Sequence, residues 1–336
     1  MKNLIVILIC LSFFETGAKS WRLSNNPAVK AGFSTFEAAH AAAAAGDTIY
    51  VDGTGEYLSY GHAIITKKLV IIGPGYFLNE NDSTQASKIY ARLYSMVIES
   101  SAAGTEVYGL YFYASGTTHL TVKASNVVIS RNFFFQNGYN IIYLNGNIQN
   151  VTITQNYAYQ IHNNSGTASN IFVANNFIGD RIDMQNTSSG IFINNVVRYH
   201  IHTYNSVIKN NIIYGEGSSV VISESYSGNT IANNLYAGNL GSTGNSTNKA
   251  NVNMSEVFVD FAGNQGYSTD GRWQLKPEGP AAGAGENGID CGMFGGSAPY
   301  VLSGLPPVPR IYEAIVPASG SIVSGLPVII KAKSQN

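Results

Sequence analysis

Six segments of the chain alternate apolar and other residues over a few positions, reach an Asn, and continue with apolar residues. They read NVVISRNFF from Asn126, NVTITQNYA from Asn150, NIFVANNFI from Asn170, GIFINNVV from Gly190, SVIKNNIIY from Ser206 and NTIANNLYA from Asn229. The Asn closing each run is Asn132, Asn156, Asn176, Asn195, Asn211 and Asn234, at intervals of 24, 20, 19, 16 and 23 residues. VYGLYF, from Val107, has the same pattern with Leu110 in the Asn place. Alternation of period two marks short strands, and the Gly, Asn and Ser between them mark turns. Strands about twenty residues apart are too widely spaced for a propeller or a sandwich. They fit a solenoid with one coil per repeat. The expected fold is therefore all-β, a single-stranded parallel β-helix. Alternation turns Val128 or Ile153 inward and puts each closing Asn at an inward corner, where its amide donates to the Asn of the next coil. The 16-residue step from Asn195 to Asn211 is short for a full coil and is the weak point of this register.

A solenoid has an open first edge that must be covered. Ser34 and Glu37 have the spacing of a capping box, and Ala38 to Ala45 reads as a helix of small residues ended by Gly46. This predicts a cap helix lying over the first coil, just before DTIYVDG at Asp47. At the other end Asn gives way to Pro, at Pro277, Pro280, Pro299, Pro306, Pro307, Pro309, Pro317 and Pro327. Pro cannot continue a parallel ladder. Residues 266–336 are therefore expected to be a closing tail packed against the last coil, with IVSGLPVIIKA near its end as an edge strand. The coils then occupy residues 21–265.

The first twenty residues carry a different pattern. Met1-Lys2 is a basic start, Leu4 to Phe14 is an apolar run of eleven, and Thr16 to Ser20 is rich in small residues. That is a secretory signal peptide over residues 1–20, cut before Trp21 or after Ala18. Leu8 and Ile9 before Cys10 are too large for a lipid-attachment box. No later run of eighteen apolar residues exists, so the mature chain is expected to be secreted, without a membrane span. Cys291 then stands alone, as a small buried residue and not a disulfide partner.

Charge narrows the function classes. With 19 basic and 20 acidic residues the net charge is -1, which lacks the positive balance that nucleic-acid binding needs. Only 12% of residues are charged, about half the usual share, and 45% are apolar, which excludes a disordered chain.

The helix, GDTIYVDG, LVIIGPG from Leu69 and the stacked coils together resemble secreted right-handed parallel β-helix proteins of the pectate-lyase-like superfold. LKPEGPAAGAGENGIDCGMFGG, from Leu275 to Gly296, is similar to the last coil and tail of bacterial members. PYVLSGLPPVPRIYE after it resembles a subset from glycan-degrading bacteria. The resemblance covers nearly the whole mature chain and implies a right-handed coil. It does not imply one activity, because this superfold carries lyases, hydrolases, esterases, adhesins and phage spikes.

In a chain so poor in charge, Asp180, Arg181, Asp183, Arg198, His200 and His202 form the densest cluster, with His162 close by when coils are aligned on the closing Asn. A lyase must neutralise a uronate carboxylate and remove the C5 proton. Arg181, His200 and Arg198 are the candidates for base and carboxylate clamp, and Asp180 and Asp183 for a cation, Ca²⁺ being the one such carboxylates hold. His200 and His202 could also ligate a metal, with Asp183 or His162 as third ligand. Tyr159, His162, Tyr199, His202 and Tyr204 are the candidate substrate contacts, since aromatic faces stack on sugar rings. The Asp-Asp and Gly-His-Gly motifs of polygalacturonases are absent. The expected partner is a polysaccharide or cell-surface glycan, met by a monomer. The competing expectation is a catalytically silent surface or adhesion protein whose charged cluster is a solvated ion-pair group.

Overall fold

The computed structural model describes residues 17–55, 58–113, 118–135, 141–185, 188–215, 227–239 and 247–334. The apolar run from Leu4 to Phe14 lies outside these residues. Three parallel sheets run along the stack between Ser20 and Tyr236, and most coils contribute one strand to each. In the coil that begins at Asn126, Val128–Ser130 belongs to a ten-stranded first sheet, Phe133–Phe134 to an eight-stranded second sheet and Ile141–Asn145 to a seven-stranded third sheet. This is a parallel β-helix. Its interior is a column of apolar residues stacked coil on coil, such as Ile129 on Ile153 and Ile142 on Ile161. Val128, expected inward, instead pairs with Thr152 on the outward side. The true alternation is displaced by one residue there, which exchanges the two faces.

The closing Asn form the expected ladder. All six are fully buried. Asn156 donates its backbone N–H to Asn176 Oδ1 at 2.9 Å and its side-chain amide to the same oxygen at 3.0 Å. Asn176 repeats both contacts on Asn195, at 3.1 and 3.0 Å. Each amide also reaches carbonyls of its own and the preceding coil, as Asn176 does to Ala174 and Ile153. The short step is a complete coil, because Asn195 donates to Asn211 Oδ1 at 2.9 Å. Asn248 adds a rung after Asn234, only 14 residues on.

One residue before each closing Asn the backbone turns left-handed: Arg131, Gln155, Asn175, Asn194, Asn210 and Asn233 have φ between 54° and 58°. Asn tolerates this conformation better than most residues. The turn points these side chains outward, where the tail runs past them. Arg131 Nη1 donates to Leu305 O, Gln155 Nε2 to Pro299 O, Asn175 Nδ2 to Gly295 O and Asn194 Nδ2 to Asp290 O. Asn210 Oδ1 accepts from the N–H of Glu286. Tail numbers fall as coil numbers rise, so the tail climbs back along the corner antiparallel to the stacking direction. Residues 275–296 add no strand to the three sheets.

A second hydrophobic core lies outside the coils. The outward residues of the second sheet form the row Tyr111, Phe133, Tyr157, Phe177, Val196, Ile212 and Leu235. Phe77, from an excursion between Val70–Ile72 and Arg92–Leu93, packs on Phe133 at 4.9 Å. Trp273 of the tail covers Phe177 at 4.6 Å. Buried Asp270 joins the two covering segments, accepting from Asn81 Nδ2 at 2.9 Å and the Ser303 N–H at 2.6 Å.

The cap helix is Phe36–Ala42, shorter than expected, and Thr35 rather than Ser34 caps it by accepting the Ala38 N–H. The last expected strand, Ile329–Lys333, pairs antiparallel with Arg310–Ile315 in a separate hairpin. It joins none of the parallel sheets.

Candidate functional site

The third sheet positions the charged cluster. Ile161, Ile182 and Ile201 are register partners on successive coils and have no exposed surface. Anchoring them inward turns their neighbours out. His162, Asp183 and His202 consequently form one outward row, and Tyr143 precedes it opposite His162. Arg181 and His200, immediately before Ile182 and Ile201, stand on the same side.

Asp183 sits between two imidazoles. Its Oδ2 is 3.8 Å from His162 Nδ1 and its Oδ1 is 3.9 Å from His202 Nδ1. Both distances exceed a hydrogen bond. Gln185 Nε2 donates to Asp183 Oδ2 at 3.3 Å. The Tyr143 ring lies over His162 at 6.1 Å. A neighbouring group occupies the corner leading into the sheet, where Asp180 N donates to Tyr159 O and Tyr199 N to Asp180 O. Asp180 Oδ2 is 3.9 Å from Arg181 Nε, and the Arg198 guanidinium lies 4.8 Å over the Tyr199 ring.

Burial controls the electrostatics. It pushes the His200 pKa down to about 4, helped by the adjacent His202, so His200 is neutral at pH 7. His162 is also lowered by burial, with Asp183 opposing. Burial raises Asp180 against the pull of Arg181 and Arg198, and raises Tyr159, helped by Asp180. Three polar atoms of the site are shielded from solvent and have no hydrogen-bond partner: His162 Nδ1, Arg181 Nε and Asp183 Oδ1. Unpaired buried polar atoms are rare in folded proteins and costly.

Of the residues singled out from sequence, nine gather on this face and its corner: Asp180, Arg181, Asp183, Arg198, His200, His202, His162, Tyr159 and Tyr199. Tyr204 stands beyond the strand Ile201–His202, in a turn where its N–H donates to Ser188 O. Asp180 and Asp183 do not converge on a common point for a cation. One leans on Arg181 and the other lies between two His, and among the described residues no group of three or more His, Cys, Asp or Glu is arranged to hold a metal ion. The residues present do not fit the oxygen cage of Ca²⁺. His200 and His202 stack ring on ring at 3.7 Å instead of converging on a metal. Gln185 and the alignment of Tyr143 were not anticipated. Tyr143 could have been found by counting back one coil from His162. Three clefts among the described residues lie elsewhere, and the row itself is largely buried, the His162, Asp183 and His202 side chains being 15%, 12% and 20% exposed. No protein-family model, curated protein or solved structure matches the chain.

Proposed function

We propose that this is an exported β-helix protein, akin to the pectate-lyase-like superfold, that binds a carboxylate-bearing extracellular polysaccharide along the outer face of its third sheet. The observation that carries this reading is the outward row His162, Asp183 and His202 on one sheet, with Tyr143 at its start and the half-exposed Arg181 side chain beside it. A bound sugar's carboxylate accepts from the Arg181 guanidinium, with Arg198 close by, and its hydroxyls bond the solvent-facing edge of the row. Tyr143, Tyr159 and Tyr199 offer rings for the C–H faces of the sugars. A row running along the stack suits a linear polymer.

Capture is favoured over turnover because Asp183 stands 3.8 and 3.9 Å from the two imidazoles, outside hydrogen-bond reach of either. Should the polymer be cleaved, neutral His200 beside Arg181 is the group able to accept the C5 proton. The test is a panel of acidic and neutral polysaccharides in affinity electrophoresis, with ultraviolet absorbance followed for the unsaturated product of a lyase. Retardation by an acidic polymer, lost in Arg181→Ala and Asp183→Ala, supports capture. A rise in absorbance abolished in His200→Ala makes the protein a lyase. Absence of both effects, in a protein that melts normally, leaves a structural or adhesion role. Amino-terminal sequencing of protein from culture medium tests export, with Lys19 or Trp21 as the expected first residue.

A further inference from the structure

The outer row of the second sheet is covered from Phe133 onward but is only half-buried at its first two rungs. There Arg92 is the register partner of Tyr111. Tyr94 and Tyr113 stand two residues further along on the same outward side, and they are 43% and 48% exposed. With Leu58 and Ser59 of the preceding coil these four residues line a cleft of about 270 Å³. Its aromatic wall is braced from behind. Tyr90 stacks on Tyr111 at 5.1 Å with 6° between the planes, and Tyr113 packs on Phe135 at 4.9 Å. The Arg92 guanidinium lies 5.9 Å from the Tyr90 ring, and among the described residues it meets no carboxylate.

Exposed aromatic faces beside a guanidinium that meets no carboxylate among the described residues, in a cleft just below the usual 300–1,000 Å³ of small-molecule sites, match one chemistry. A pyranose ring presents C–H groups to stack on the rings, and an acidic substituent presents a carboxylate to the guanidinium. We propose that this cleft is a second glycan site, holding one uronic acid residue on Tyr94 and Tyr113 with its carboxylate on Arg92. It takes its ligand class from the reading above and shares no residue with the third-sheet face.

The test is isothermal titration calorimetry with a galacturonate hexasaccharide and its methyl-esterified form. It is run on the full chain and on an Arg181→Ala, Arg198→Ala double variant that silences the third-sheet face. The expected result is heat that persists in the double variant. Adding Arg92→Gln or Tyr94→Ala should weaken that binding about tenfold. The esterified probe should respond to Tyr94→Ala and not to Arg92→Gln. Tyr94 is exposed and Arg92 half-buried, and a thermal melt by circular dichroism checks that each variant folds. No heat from the double variant overturns this site, while heat confined to the unaltered protein leaves the third-sheet reading standing. Heat in the double variant that ignores both further substitutions also overturns it, as does an esterified probe equally sensitive to Arg92→Gln.

Discussion

The rings of His200 and His202 lie 3.7 Å apart and 14° from parallel. Residues two apart on a strand share a face, so the pairing follows from the pleat. Two imidazolium ions at that distance would repel, and burial already disfavours charge on His200.

This makes stability depend on pH. The unfolded chain binds a proton at His200 near the ordinary value of about 6.5. The folded protein binds it only near 4. Between these values the unfolded state holds more protons, so stability rises with pH from about 4 to about 6.5 and is level above. Denaturant unfolding across that window should show the slope, and His200→Phe should reduce it. His162, shifted in the same direction, keeps part of it. An NMR titration of His200 with a midpoint near 6.5 would overturn the account.

The Asn ladder predicts a position-dependent cost. Asn176→Ala strips an acceptor from both N–H groups of Asn156 and a donor from the carbonyls of Ile153 and Ala174. Buried groups left unsatisfied should cost about 3 kcal/mol or more in equilibrium unfolding. Asn248→Ala, at the last rung, strips the same two N–H groups on Asn234 but only one carbonyl, and should cost less, about 2 kcal/mol. Equal costs would show that the rungs do not act as a buried stack.

At Asn175 two effects can be separated. Gly keeps the left-handed turn but removes the bonds to Met293 O and Gly295 O, for about 1–2 kcal/mol. Ala removes the same bonds and adds about 1–2 kcal/mol of backbone strain. Both should speed proteolysis of the tail near Met293, and Ala should melt lower than Gly. Identical melting of the two would refute the strain.

The outer core rests on Trp273, whose ring is 4.6 Å from Phe177, 4.9 Å from Tyr214 and 5.1 Å from Phe258. Trp273→Ala should destabilise by about 3–5 kcal/mol and expose apolar surface that binds a hydrophobic dye. A folded variant without dye binding would mean that the tail recloses over the gap.

The charged row shows where sequence alignment reached and where it stopped. Counting seven from the closing Asn finds Asp183 and His202, but their neighbour in the row is His162, six past Asn156. The coil starting at Phe177 has one residue more before its third-sheet strand, and only the pairing of Ile161 with Ile182 reveals it. The residues before each closing Asn were equally visible, as RN, QN and NN pairs. Their left-handed turn and their hold on the tail were not, because Gln155 and Pro299 are 144 residues apart.

By itself the amino-acid order determined the coil. Alternation, a repeated Asn and a helix before the first strand are local signals, and each coil repeats the same demand on the next. Only the tertiary structure decided which outer faces are covered and which are bare. The tail and the excursion around Phe77 close over the second sheet from Phe133 onward. The third-sheet row keeps only its outer edge in solvent, and the Tyr94–Tyr113 cleft remains open. That outcome depends on contacts between segments several coils apart in the chain, which a periodic pattern cannot encode.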